Sequence, residues 1–126
     1  MAGGAEVWSS LPPGRARWWA LVASPRHAVA AIEAGVRHLT VTVSASEAYS
    51  QKNTRRSIAE SIAAALEIQA HAHEAAAFVD VVVSCSFGSP FDDVTGVGDV
   101  VPLVDALRTA CPGARLTLAD TTGTAT

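Results

Sequence analysis

An α/β protein built on a parallel sheet is what this sequence predicts, and three observations lead there. Four short apolar runs alternate with helical segments in the order β-α-β-α-β-α-β, the alternation that builds parallel sheets through right-handed crossovers. The runs Leu39-Thr40-Val41-Thr42-Val43 and Val79-Asp80-Val81-Val82-Val83 are dense in β-branched residues, which suit a pleated backbone. They are also nearly continuous in apolar character, as strands covered on both faces are.

A polar stretch marked by Pro12-Pro13-Gly14 leads in over residues 1–17, and the domain itself is expected over residues 18–126. Trp18–Ala23 reads as the first strand, with Trp18 and Trp19 as core or interface aromatics. Ser24-Pro25 is an N-cap followed by proline at the first helical position; Ala28–Ala34 continues that helix and Gly35 stops it. His38–Ser44 is the second strand. Asn53 reads as a cap for an alanine-rich helix over Ser57–Ala77, whose apolar stripe is Ile58, Ile62, Leu66 and Ile68; a functional role for Asn53 is the other reading. Phe78–Phe87 is the third strand. Asp99 is expected to cap a further helix through Val104, Leu107 and Ala110, with Pro102 in its first turn and Pro112-Gly113 ending it. Arg115–Ala119 is the fourth strand.

Composition narrows the function classes. With 126 residues, 13.0 kDa, 49% apolar residues and a mean hydropathy of +0.27, the chain is one domain with enough core to fold, which excludes disorder. No charge-free apolar run approaches the roughly 18 residues of a membrane span. The net charge is −3, and Arg15/Arg17 and Arg55/Arg56 form no basic stripe with interleaved aromatics, so nucleic-acid binding lacks its electrostatic footprint. Cys85 and Cys111 make neither a disulfide framework nor a CxxC metal motif. Residues 1–17 carry no apolar stretch ahead of a cleavage site, so a reducing cytoplasm is expected.

Polar groups gather where the strands end, which is where α/β folds keep their chemistry. Strand two exits into Ser44-Ala45-Ser46-Glu47, strand three into Ser84-Cys85-Ser86-Phe87-Gly88-Ser89-Pro90-Phe91, and strand four into Ala119-Asp120-Thr121-Thr122-Gly123. Hydroxyls, a carboxylate and a thiol at one end of a sheet suit a small oxygen-rich ligand. Asp120 is the first candidate for chemistry, because a carboxylate ending an apolar strand must find a partner or water; a turn-former is its other reading. Ser44, Ser46 and Glu47 either contact ligand or cap the next helix. Cys85 is either a nucleophile or, with no histidine beside it in sequence, a buried structural thiol. His71-Ala72-His73 mimics a metal pair, but i, i+2 positions on a helix diverge by about 200°, so these imidazoles are expected on a solvated helix face.

The pieces Val43-Ser44-Ala45-Ser46-Glu47, Lys52-Asn53 with Arg56-Ser57-Ile58 and Glu60-Ser61, Val83-Ser84-Cys85 with Phe87-Gly88 and Pro90, and Asp120-Thr121 with Gly123 together resemble the hydroxymethylglutaryl-CoA (HMG-CoA) lyase family. Ala20-Leu21-Val22 and Ala34-Gly35-Val36 look like that family's third strand and following helix, so the likeness runs from Arg17 onward. It extends to homocitrate and isopropylmalate synthases, although the Ser-Ala-Ser-Glu and Val-Ser-Cys pieces favour the lyase. Departures are Ser89 in place of a second cysteine and a looser match over residues 91–98. The resemblance implies a partial TIM barrel: strands three to six of eight, an open parallel four-stranded half-barrel, since a whole barrel takes about 250 residues.

What the family does then becomes the expectation here. Its members cleave 3-hydroxy-3-methylglutaryl-CoA to acetoacetate and acetyl-CoA by a retro-Claisen reaction with a divalent cation, Mg²⁺ or Mn²⁺. The resemblance places Asp120 and Thr121 near the substrate hydroxyl or carboxylate, with Ser44, Ser46, Glu47 and Ser84 lining the same mouth. The family's first-strand arginine and aspartate and its His-x-His cation ligands have no counterpart in this chain. An acyl-CoA ligand is implied, together with a second copy or a complementary half-barrel chain to cover the open face, and no turnover by the isolated chain.

Overall fold

The computed structural model describes residues 3–91, 93 and 96–125. Its four strands, β1 (Ala20–Leu21), β2 (His38–Ser44), β3 (Phe78–Ser84) and β4 (Arg115–Leu118), form one sheet in the order β1-β2-β3-β4. All three pairings are parallel, with Leu39 opposite Val79, Ser44 opposite Ser84 and Asp80 opposite Arg115. The connections are α2 (Pro25–Glu33), α3 (Glu47–Thr54) with α4 (Ile58–Glu74), and α5 (Val97–Ala110); α1 (Gly4–Ser10) precedes β1. No helix among the described residues is long and apolar enough to cross a membrane.

One sheet face carries the core. Leu39, Val41 and Val43 of β2 and Val79, Val81 and Val83 of β3 alternate inward and are buried against Ala28 of α2, Ala65, Ile68 and Ala72 of α4, and Leu103 and Leu107 of α5. The period of two in the strands and the i, i+3, i+4 spacing in the helices put these residues on facing surfaces. Among the described residues no helix layer covers the opposite face. There Asp80 is buried and bonded to Arg115 Nη2 (2.7 Å) and Thr117 Oγ1 (2.8 Å), while Arg115 lies 4.7 Å from the Trp19 ring. Trp19 precedes β1 and Arg115 opens β4, so side chains from the two sides of the curled sheet reach each other across its concave face. His38 bridges the interior of this layer, 4.8 Å from Trp19 and stacked on Phe78 at 5.3 Å. Burial works most strongly against ionising Asp80, yet the hydrogen bonds from Arg115 and Thr117 and the arginine's charge outweigh it and hold the carboxyl below its ordinary range.

Several boundaries differ from those expected. The lead-in contains α1, whose Trp8 packs on the core. Strand one is limited to Ala20–Leu21 because Ala23 turns its carbonyl to Arg56 Nη1 (2.7 Å) and Ser24 caps α2 through the His27 N–H. Strand three ends at Ser84, because Cys85 takes a left-handed φ of 57° that breaks the pleat. Asn53 lies inside α3 and caps nothing; Ser57 caps α4, and Glu60 returns the bond in a capping box. Leu66 points outward at 50% exposure, and the buried stripe of α4 is Ser61, Ala65, Ile68 and Ala72. Helix α5 starts three residues earlier than expected, so Asp99 is its third residue, accepting from the Gly96 N–H, and Pro102 falls in the second turn. The helical bond that Pro102 cannot donate would end on Gly98, which is exposed to water.

Helices α2 and α4 end in the same way with different residues. In each, the second residue past the helix donates to the carbonyl two from its end and the third to the carbonyl three from its end: Gly35 to Ile32 and Val36 to Ala31, then Ala76 to His73 and Ala77 to Ala72. This termination needs a left-handed residue, which glycine adopts freely and alanine at a cost of about 1–2 kcal/mol. Ala76 sits there at φ 52° and is exposed. Ala76→Gly is therefore expected to stabilise the fold by about 0.5–1 kcal/mol after the added freedom of the unfolded chain is subtracted, read as a higher urea midpoint with an unchanged slope.

Candidate functional site

The exits of β2, β3 and β4 share one rim of the sheet. Register places Ser44 and Ser84 side by side, and each is about 95% buried. Ser44 Oγ accepts from the Ser46 N–H at 3.0 Å. The Ser84 hydroxyl finds no hydrogen-bond partner among the described residues, an unusual condition for a buried polar group and one that marks a place for a ligand or water.

The other two exits are tied together. Beyond Ser84, Cys85 is fully buried and its N–H donates to Thr121 Oγ1 at 2.8 Å, which fixes Thr121 over the β3 exit. Gly88 has a φ of +146°, and a side chain there would meet Thr124 Oγ1 at 3.0 Å, so the β3 and β4 exit loops lie against each other. Thr124 Oγ1 also donates to the Phe87 carbonyl (3.3 Å). Asp120 is exposed and caps its own turn, Oδ1 accepting from Thr124 N–H and Oδ2 from Ala125 N–H, each at 3.1 Å. The Ala125 N–H is the main reason that the Asp120 carboxyl lies below its ordinary range; it is an anion held in place by backbone donors.

Ser46 and Glu47 have structural partners. Ser46 caps α3 by accepting from the Tyr49 N–H (3.0 Å), donates to Asp93 Oδ2 (2.5 Å) and accepts from Ser89 Oγ (3.1 Å), all at 1% exposure. Glu47 accepts from Gln51 Nε2 (3.1 Å) and from the Ile58 N–H (3.0 Å), bracing the start of α4. Asp93, which sequence reasoning did not single out, is the hub of this group: it also accepts from Ser89 Oγ (2.7 Å) and the Ala48 N–H (3.2 Å). The hydrogen bond from Ser46, then that from Ser89, depresses its carboxyl below the usual range. Ser89, four residues before Asp93, is a local partner, but the Ser46 contact that makes Asp93 a hub spans 47 residues and has no local signal. Asp80 had a signal, a lone carboxylate inside a valine run, with Arg115 and Thr117 at alternate positions of the next strand.

Sequence and fold converge on one set of known proteins. The chain is 36% identical over 104 residues to the 3-hydroxy-3-isohexenylglutaryl-CoA/hydroxymethylglutaryl-CoA lyase of Pseudomonas aeruginosa, covering 81% of this chain and 33% of that protein. The crystal structure of the hydroxymethylglutaryl-CoA lyase from Pseudomonas aeruginosa matches all of this chain with a TM-score of 0.88 and 30% identity. The chain is hydroxymethylglutaryl-CoA lyase-like. An Acinetobacter baumannii HMG-CoA lyase, solved in complex with coenzyme A and 3-methylmalate, gives a TM-score of 0.89 at 28% identity over 99% of this chain and 41% of its own. No protein-family model matches the sequence. The lyase-like chain spans about a third of its curated relatives and about two-fifths of the solved structures, and its four strands are the corresponding part of a TIM barrel, as the motifs implied. Among the described residues, no three of His, Cys, Asp and Glu come together as a cation site, so those residues do not by themselves fit the family's cation.

Proposed function

We propose that this chain supplies one flank of the mouth of an HMG-CoA-lyase-type carbon–carbon lyase, in a domain spanning residues 18–126. The observation that carries the reading is Ser84: a buried, unpartnered hydroxyl beside Ser44 at the carboxyl ends of neighbouring strands, in a fold shared with a lyase crystallised with coenzyme A and a hydroxy-dicarboxylate. The ligand in this reading is an acyl-CoA bearing a tertiary hydroxyl and a carboxylate, as in leucine degradation, and the setting is the cytoplasm.

Each residue then has a stated task. Ser84 and Ser44 offer hydroxyl hydrogens to a substrate oxygen. Asp120, with Thr121 beside it, faces the reacting hydroxyl as a fixed anion that accepts its proton while the C–C bond breaks to a ketone and an enolate. Ser46 and Glu47 act through position, holding the β2 exit and the start of α4 in register with the rim. The lyase family uses Mg²⁺ or Mn²⁺; no step through a cation is assigned to this chain, and the rest of the barrel, carried by a complementary polypeptide, completes the mouth.

Co-expression with a polypeptide carrying the missing barrel strands tests this. The combined halves are expected to release acetoacetate from 3-hydroxy-3-methylglutaryl-CoA with added Mg²⁺ or Mn²⁺, and this chain alone to release none. Ser84→Ala in the combined enzyme is expected to lower kcat/KM about tenfold, the effect of one lost polar contact to substrate. A soluble combined enzyme without turnover, or turnover by this chain alone, contradicts the reading.

A further inference from the structure

The peptide unit between Ser84 and Cys85 is held from both sides of the sheet. Its carbonyl, on Ser84, accepts from the Ala45 N–H of the β2 exit at 2.9 Å. Its N–H, on Cys85, donates to Thr121 Oγ1 of the β4 exit at 2.8 Å. The backbone just before it is tied as well, the Val83 carbonyl accepting from the Ala119 N–H (2.9 Å) and from Ser86 Oγ (2.6 Å). Within this frame Cys85 is fully buried and left-handed, with a φ of 57°. That conformation is unfavourable for any residue with a Cβ. It persists only where the surroundings over-determine the backbone, and residues held so gather at ligand sites. The residue before Cys85 is Ser84, whose buried hydroxyl has no hydrogen-bond partner among the described residues.

We propose that Thr121 is a positioning residue for Ser84. By accepting the Cys85 N–H it keeps Cys85 left-handed and fixes the plane of the Ser84–Cys85 peptide. That plane, set against the strand, determines the direction in which the Ser84 side chain leaves the backbone. The Ala45 N–H by itself holds one end of the peptide and leaves the plane free to pivot. The exit loop of β4 thus aims a hydroxyl on β3, across 36 residues of sequence from Cys85 to Thr121. The proposal rests on the reading of Ser84 as a substrate donor and deepens it: Thr121 acts on the substrate through Ser84, its own oxygen being committed to the Cys85 N–H.

Substitutions at Thr121, which is exposed, test it in two ways. In the 126-residue chain, Thr121→Val keeps the shape and removes the acceptor. It is expected to speed exchange of the Cys85 amide about tenfold, the effect of one lost hydrogen bond, and to move the Ser84 ¹³Cβ resonance. Thr121→Ser keeps the oxygen and is expected to restore both, while the Leu39 and Val41 amides of β2 exchange at the native rate throughout. An unchanged Cys85 amide or Ser84 resonance in Thr121→Val, or a serine variant that behaves as the valine one, would overturn the proposal. In the combined halves, Thr121→Val is expected to lower kcat/KM about tenfold and to add nothing once Ser84 is alanine, because both substitutions remove the same donor. Losses that multiply to about a hundredfold would mean that Thr121 meets the substrate independently, and would also overturn it. Combined halves without turnover count against the lyase reading alone, since the Cys85 exchange rate and the Ser84 resonance decide this proposal without substrate.

Discussion

Arg115→Met is expected to destabilise this fold more than Asp80→Val, although each substitution breaks the same ion pair. The asymmetry comes from burial. Asp80 is 5% exposed, whereas the Arg115 side chain is 61% exposed. Removing the arginine strands a carboxylate among Thr117, Val81 and Val82, and a buried charge without its partner is costly. Removing the aspartate leaves a guanidinium that still reaches water and the Trp19 ring, and puts a valine into an already valine-rich strand.

The pH dependence follows with opposite signs. In the native chain the Asp80 carboxyl lies below its ordinary value of about 3.9, so its contribution to stability is fully present above that value and is lost as the pH falls through the folded pKa. In Arg115→Met the burial that opposes ionisation is no longer countered by the guanidinium, and the folded pKa is expected to rise above the unfolded one. The Asp80 contribution is then present below about pH 3.9 and lost as the pH rises through the new folded value. Urea midpoints between pH 3 and 7 (a range set by the carboxylate titration) should show the variant losing ground as the pH increases. Parallel profiles for the two proteins would show that the ion pair does not set the Asp80 titration.

Leu107→Ala is expected to cost about 2–5 kcal/mol, a large part of the roughly 5–15 kcal/mol that holds such a domain together. Leu107 is fully buried in the layer between α5 and the sheet, in one cluster with Val81, Val83 and Ile68. The rigid strands cannot close over the missing carbons, so a cavity remains. Leu66→Ala, on the exposed side of α4, is expected to stay within about 0.5 kcal/mol of the native chain. Denaturant unfolding of the two variants separates them; equal losses would mean that α5 does not pack as described.

The middle strands were legible because their cause is local. His38–Ser44 was read to the residue, since β-branched alternation ends there at a serine that turns into a helix cap. The Ser24-Pro25 start and Gly35 stop of α2 carry their signals within a few residues. What stayed hidden depends on partners far along the chain. Strand one is short because Arg56 takes the Ala23 carbonyl, 33 residues away in sequence. Strand three stops at Ser84 because Thr121, 36 residues on, holds the Cys85 N–H. The apolar character of Leu66 suggests a core residue, but it lies one helical step past the buried Ala65 and turns outward. The rim itself was legible as three polar strand exits. Its internal wiring was not, because the parts that Ser46, Glu47 and Asp120 play as caps and turn anchors are set by hydrogen bonds that only the folded chain brings together.

The account turns on whether the β2, β3 and β4 exits form a ligand mouth. An amide-resolved NMR titration of the 126-residue chain with 3-hydroxy-3-methylglutaryl-CoA reads this most directly. Shifts concentrated at Ser44, Ser84, Cys85 and the Asp120–Thr121 turn, and lost in Ser84→Ala with the remainder of the spectrum unchanged, are the result expected. Shifts confined to the outer helix faces, or none at saturating ligand, would contradict it.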